Sequence, residues 1–155
     1  MHRHPDIRLP ASLRGNFVLL RADSLRLVFP QNEVGAAEYL ESTLVAAEGH
    51  GILSNPAGDG SRRFAALSAQ MTLLPACPAD RFVVTPLGGD KADHELGWCW
   101  NEVRVLIDVE LQPQRLPAVL LDPNTPVDHY VSYGGEIAYM CSARRLSAYA
   151  LAQRM

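Results

Sequence analysis

The run Arg81-Phe82-Val83-Val84-Thr85-Pro86-Leu87 leads into Gly88-Gly89-Asp90-Lys91-Ala92-Asp93-His94-Glu95. The chain then resumes as Leu96-Gly97-Trp98-Cys99-Trp100-Asn101-Glu102-Val103-Arg104-Val105-Leu106-Ile107-Asp108-Val109-Glu110-Leu111. Branched and aromatic side chains suit a pleated surface, whereas glycine supplies positive φ angles and aspartate tolerates them. The stretch therefore predicts two β-runs joined through a Gly-Gly-Asp turn as a hairpin.

The same signals recur on both sides. Asn16-Phe17-Val18-Leu19-Leu20-Arg21 and Leu25-Arg26-Leu27-Val28-Phe29 flank the turn Ala22-Asp23-Ser24, and Pro30 ends the second run because proline cannot donate to a ladder. Near the C-terminus, Asp128–Tyr133 and Glu136–Cys141 flank Gly134-Gly135, a strong hairpin cue. Ser142 is placed to cap a helix running through Leu151, with Leu146, Tyr149 and Ala150 on one face. Between Asn32 and Ala47 the alanines, glutamates and leucines favour helix, although Val34-Gly35 could also continue an irregular strand. Glu48 to Ser61, rich in glycine, reads as a loop, Arg63–Leu67 as a short strand, and Ser68 as the cap of a helical turn reaching Leu74. Residues 1–15, broken by Pro5 and Pro10, read as a tail. Hairpins at short intervals with few helices predict a mainly β chain, a barrel or a pair of small barrels. Phe64–Ala69 and Ile137–Ala143 also resemble one another, each a short apolar strand running into Ser-Ala.

Composition narrows the function classes. The 155 residues are 48% apolar and 20% charged, enough for one globular domain with a real core. A formal charge of −3 offers no basic field for a phosphate backbone, so nucleic-acid binding is not expected. Cys77, Cys99 and Cys141 are odd in number and lack metal-ligand spacing, which suits a reducing compartment. With no signal-like start and no apolar run long enough to cross a bilayer, a cytoplasmic protein without membrane insertion is expected.

Candidate chemistry is sparse. Asp90, Asp93, His94 and Glu95 crowd one turn, but they match neither a calcium-loop pattern nor a zinc spacing and suit a solvated hairpin tip. His2 and His4 could grip only an adventitious metal. Cys99, with His94 five residues back, could serve as nucleophile and base, yet alternation along a strand points it away from Trp98 and Trp100 and into a core. Ser132, Ser142 and His129 have no nucleophile elbow or phosphate loop beside them. No catalytic residue, cofactor or metal is therefore assigned. Trp98 and Trp100 share a face, and burial of at least one is the expectation. Tyr39, Leu40, Leu44 and Val45 could form a second apolar contact surface, with core as the default.

The layout resembles the chemotaxis coupling-protein family, the CheW-like domain. The likeness is carried by Phe17-Val18-Leu19-Leu20-Arg21, by Leu27-Val28-Phe29-Pro30 followed by Val34, and by Phe82-Val83-Val84. It continues in Gly97-Trp98-Cys99-Trp100-Asn101-Glu102-Val103, Leu116-Pro117, and the stretch from Gly135 to Leu146, so that most of Phe17 to Leu151 is covered. Arg62-Arg63 stands where the family usually has Arg-Gly, and Ser68 and Ser142 stand where it has aspartate, which marks a divergent member. The resemblance implies a single domain over 16–155, built of two small intertwined SH3-like β-barrels with a boundary near 75–80, a few short helices and a C-terminal helix. It also implies a non-enzymatic bacterial signalling adaptor whose partners are a histidine-kinase regulatory domain, a chemoreceptor or both. Val34, Arg62 and Arg63 are the partner-binding positions it suggests. The alternatives are a small barrel enzyme or ligand-binding protein using Cys99 and His94, and a domain that self-associates.

Overall fold

The computed structural model describes residues 9–47, 51–58, 62–87, 96–120 and 125–154. Its strands are β1 (Leu13–Ala22), β2 (Leu25–Pro30), β3 (Val34–Leu40), β4 (Val45–Ala46), β5 (Leu53–Ser54), β6 (Arg63–Ala66), β7 (Arg81–Pro86), β8 (Leu96–Trp100), β9 (Glu102–Leu111), β10 (Gln114–Arg115), β11 (His129–Tyr133) and β12 (Glu136–Met140). Helix α1 (Ala143–Arg154) follows, and short 3-10 turns occupy Gln31–Glu33 and Ala118–Leu120. The chain is mainly β, as its alternation predicts.

The strands form two sheets, in the orders β10-β11-β12-β2-β1-β9 and β4-β5-β6-β8-β7-β3. The second order is the first with every strand number displaced by six. The chain therefore holds two structural repeats, β1 to β6 and β7 to β12, which meet between Ala66 and Arg81. Each sheet takes a hairpin from one repeat and four strands from the other, so the halves are intertwined. Each also contains one parallel pair, β12 with β2 and β6 with β8. The two similar segments, Phe64–Ala69 and Ile137–Ala143, start in the matching strands β6 and β12.

Chain crossings between sheets have local causes. Pro30 and the 3-10 turn at Gln31–Glu33 turn the backbone out of β2 and into β3. At Asn101 the backbone N–H donates to the Arg21 carbonyl at 2.7 Å, and Oδ1 accepts from the Asp23 N–H at 2.8 Å. Asn101 thus fastens the β1–β2 turn and divides the expected single run from Leu96 to Leu111 into β8 and β9. β7 and β8 pair antiparallel as the hairpin predicts, with Val84 opposite Trp98 and Phe82 opposite Trp100, whereas β9 pairs with β1. The hairpin tip lies outside the described residues.

Alternation along the strands sorts side chains into three buried clusters. Val18 and Leu20 of β1, Leu27 and Phe29 of β2, Ala65 of β6, Val84 of β7, Trp98 and Trp100 of β8 and Leu146 and Ala150 of α1 fill a central one between the sheets. On the opposite faces, Phe17, Leu19, Val28, Leu106, Leu111, Val131 and Ala138 pack together in the first sheet, and Leu44, Leu53, Phe64, Ala66, Cys77, Val83 and Cys99 pack in the second. β1, β2 and β8 are therefore apolar on both faces. The first sheet curls around its own cluster, bringing β11 against β9 from the other end. Among the described residues the hydrogen-bond ladders of both sheets run in open six-strand orders.

Four local expectations are corrected. The helix expected within Asn32–Ala47 is strand β3, because pairing with β7 outweighs propensity differences of a few tenths of a kcal/mol per residue. The tail is shorter than 1–15, since Leu13 already pairs with Leu111. The loop at Glu48–Ser61 contains β5, whose Leu53 is fully buried. Ser68 caps no helix: its Oγ accepts from the Gln70 and Thr72 N–H groups in a turn closed by the Leu67–Leu73 bridge.

The cap of α1 comes from two places. Ser142 Oγ accepts from the Arg145 N–H at 3.2 Å, as the sequence suggests, but Glu33 also reaches across from the β2–β3 crossing to accept from the Ala143 N–H at 2.8 Å. A carboxylate at a helix N-terminus is favoured by both the free N–H groups and the helix dipole. Glu33→Ala is expected to cost about 1 kcal/mol, the usual worth of a cap. Glu33→Gln, which keeps an acceptor, should retain most of the stability in urea denaturation, and equal losses in both variants would refute the cap.

Candidate functional site

β3 is the terminal strand of the second sheet, and Ala36, Ala37, Glu38 and Tyr39 on it are all exposed. A terminal strand has one edge of N–H and C=O groups facing away from its sheet, and the two alanines leave that edge unobstructed by bulky side chains. Tyr39 is 54% exposed, yet it is held in place. Its ring meets Phe82 edge-on at 5.3 Å between centroids, and its hydroxyl donates to Asp80 Oδ1 at 2.9 Å. That hydrogen bond, together with the nearby carboxylates, keeps the phenol protonated above its ordinary pKa. Asp80 itself has a left-handed backbone (φ 63°), which aspartate tolerates better than most residues. Tyr39 was legible as a possible contact residue; Asp80 was not, because only the β3–β7 register brings it alongside.

The resemblance positions converge in part on this edge. Val34 opens β3, pairs with Pro86 and packs half-buried against the central cluster. Arg62, just before β6, sets Nη2 at 2.5 Å from Glu38 Oε2 and its guanidinium over the Phe64 ring at 5.1 Å. It runs past Gly97, where a Cβ would lie at an ordinary van der Waals distance of 3.6 Å from Arg62 Nη2. Arg62 and Glu38 therefore link β6 to the β3 edge as an exposed ion pair, on the same strand as Val34. Arg63 starts β6, opposite Leu96, and is half-buried.

The competing sites have different geometry. Trp98 and Trp100 are both 1% exposed, so they form core and not an aromatic platform. Of the expected second surface, Tyr39 and Val45 are exposed, while Leu44 is fully buried. Cys99 is buried, and its thiol is pushed well above the ordinary value, first by its hydrogen bond with Cys77 and then by burial. His94 and the acidic turn at Asp90–Glu95, like His2 and His4, lie outside the described residues. Among the described residues no group of three or more His, Cys, Asp or Glu side chains is placed to hold a metal.

Two further features were invisible in the sequence. Asp128 Oδ1 accepts from Arg145 Nη1 at 2.9 Å and meets His129 Nδ1 at 2.7 Å. Burial pushes the Asp128 carboxyl up, but the bonds from His129 and Arg145 outweigh it and hold the pKa below the usual carboxylate range. The cluster joins β11 to α1. A cavity of about 430 Å³ opens between α1, β12 and the turn at 69–71, with Leu25, Met71, Leu116, Val127, Tyr139 and Tyr149 on its walls. The Tyr149 hydroxyl donates to the Met71 carbonyl across one side. Its described lining contains no carboxylate, imidazole, amine or thiol.

No helix among the described residues is long and apolar enough to cross a membrane. No family model matches the chain, and no curated protein matches it.

Proposed function

We propose that the protein is a non-enzymatic adaptor of bacterial signalling that works in the cytoplasm and docks through the edge of β3. The observation that carries this reading is the conjunction at that edge: a terminal strand exposed over Ala36–Tyr39, bearing an aromatic anchor pre-positioned by Phe82 and Asp80 and flanked by the Arg62–Glu38 pair. An extended partner segment can add to such an edge through main-chain hydrogen bonds, while a held tyrosine supplies contact area at low entropic cost. The resemblance to chemotaxis coupling proteins supplies the partner class, a histidine-kinase regulatory domain, a chemoreceptor tip or both, with Val34, Arg62 and Arg63 as contact positions. Binding would alter kinase output by favouring one arrangement of the assembly.

The test is titration of the purified protein against kinase regulatory domains and receptor tips of the same organism. Tyr39→Ala and Arg62→Glu should each weaken binding at least tenfold while thermal stability stays near that of the parent, because exposed pairs contribute little to folding. No affinity for any of these partners would sink the reading. Unchanged affinity in both variants would remove the β3 edge from the site, and concentration-dependent self-association in place of binding would favour a self-assembling domain.

A further inference from the structure

We propose that Cys77 and Cys99 form a redox-active dithiol which a hydroperoxide converts into an intramolecular disulfide, a modification site inside the second sheet. The two residues are 22 positions apart in sequence but share one buried cluster, with Leu44, Leu53, Phe64, Ala66 and Val83 around them. The Leu74 N–H donates to the Ala66 carbonyl at 2.9 Å, which lays the segment carrying Cys77 beside the strand paired with Cys99, and each thiol perturbs the pKa of the other. Cys99 is fixed in the centre of the sheet, opposite Val83 on β7 and Ala66 on β6. Cys77 belongs to the segment between the two repeats, which lies between Pro75 and Pro78 and joins the sheet through reciprocal backbone bonds with Leu44 of 2.9 and 3.1 Å. One partner is therefore rigid and the other sits on a short bridge. Opening of that bridge admits a small neutral oxidant without unfolding the sheets.

The positions of the two thiols assign their roles, Cys77 on the bridge that opens and Cys99 inside the sheet. The hydrogen bond from Cys99 lowers the pKa of Cys77 in spite of burial, helped by the charge of Arg81, while Cys99 is raised. The thiolate is the nucleophile, and Cys77, on the bridge that opens, meets the oxidant first and attacks. Its sulfur takes one peroxide oxygen as the O–O bond breaks, giving a sulfenic acid and one water. Cys99 sulfur then attacks the Cys77 sulfur, the S–S bond forms, the S–O bond breaks, and the thiol proton leaves with the hydroxide as a second water. Two thiols lose two electrons in total and one peroxide gains them. Cys141 is the internal control: it lies in the central cluster, near the Pro126 and Ser142 carbonyls, with its thiol pushed up to about 12 by burial.

The experiment exposes the folded, reduced protein to hydrogen peroxide, blocks remaining thiols and maps tryptic peptides without reduction. The expected product is peptide 64–81 joined to peptide 92–104, reversible by dithiothreitol, with Cys141 in peptide 116–144 still blocked as a free thiol. Cys77→Ser and Cys77→Ala should each abolish the cross-link, and Cys99→Ser should leave Cys77 as a trappable sulfenic acid. Both thiols remaining reduced in the folded protein, under conditions that oxidise it in urea, would overturn the proposal. So would a cross-link to Cys141, or one that appears only in urea.

Discussion

Trp98→Ala and Trp100→Ala are each expected to cost about 3–5 kcal/mol, the range for removing a fully buried large aromatic. Either loss is a large part of the stability of an ordinary domain. The position of the two rings explains why. Both project from β8 into the cluster that holds together the β1–β2 hairpin, β6, β7 and α1, so each variant opens a void where two sheets and a helix meet. A small cavity of about 10 Å³ adjoins the two rings, bounded by Leu20, Phe29, Val34 and Leu146. Neither indole Nε1 has a hydrogen-bond partner among the described protein groups. Replacing the ring by phenylalanine removes that buried donor, whose desolvation costs about 1–3 kcal/mol, and keeps much of the apolar area. Trp98→Phe and Trp100→Phe should therefore lose less than half of what the alanine variants lose in urea denaturation. A Trp→Ala cost under about 1 kcal/mol, the level of an ordinary surface change, would show that the central cluster does not join the two sheets.

Gly97→Ala is expected to destabilise the protein by about 1–3 kcal/mol, although a glycine to alanine change in a strand usually helps through the entropy of the unfolded chain. The reversal follows from the neighbours. A Cβ at Gly97 would lie 2.6 Å from Val83 Cγ1 and 3.2 Å from Phe64 Cδ1. Valine is branched at Cβ and has few rotamers into which to retreat, and Val83 and Phe64 sit in the same buried cluster. Truncating the obstacle should relieve the clash: Gly97→Ala with Val83→Ala is expected to cost clearly less than the two single variants added together. Strict additivity in thermal or urea unfolding would show that the contact is not the cause.

Much of the strand content was legible because its signals are local. The apolar runs at Phe17–Leu20 and Leu27–Phe29 mark strands, and the structure divides their residues between two clusters because successive side chains of a strand face opposite ways. Gly134 and Gly135 take φ of 59° and 80°, the turn geometry that a diglycine between aromatic runs implies. Ser142 caps α1 as expected. The failures share one cause. In Ala36–Leu40 helix propensity is a weak preference, and it yielded to a row of hydrogen bonds with β7 that no local window contains. Leu53 reads as loop because its strand is only two residues long, and its burial depends on Phe64 and Leu44 arriving from elsewhere.

The candidate site divides along the same line. Val34, Arg62 and Tyr39 can be picked out as residues, but their meeting on one edge requires β7 and β8 to lie between β3 and β6. Asp80 under the Tyr39 hydroxyl, Glu33 on the end of α1 and Cys77 against Cys99 are contacts between residues 22 to 110 positions apart. The sequence by itself determined that β1, β2, β7, β11 and β12 are strands and that the chain turns at Ala22–Ser24 and Gly134-Gly135, since those depend on side-chain volume and backbone preference within a few residues. Only the tertiary structure decided which half supplies each hairpin, because exchanging strands between similar repeats leaves the local pattern unchanged and alters only which distant surfaces are buried together.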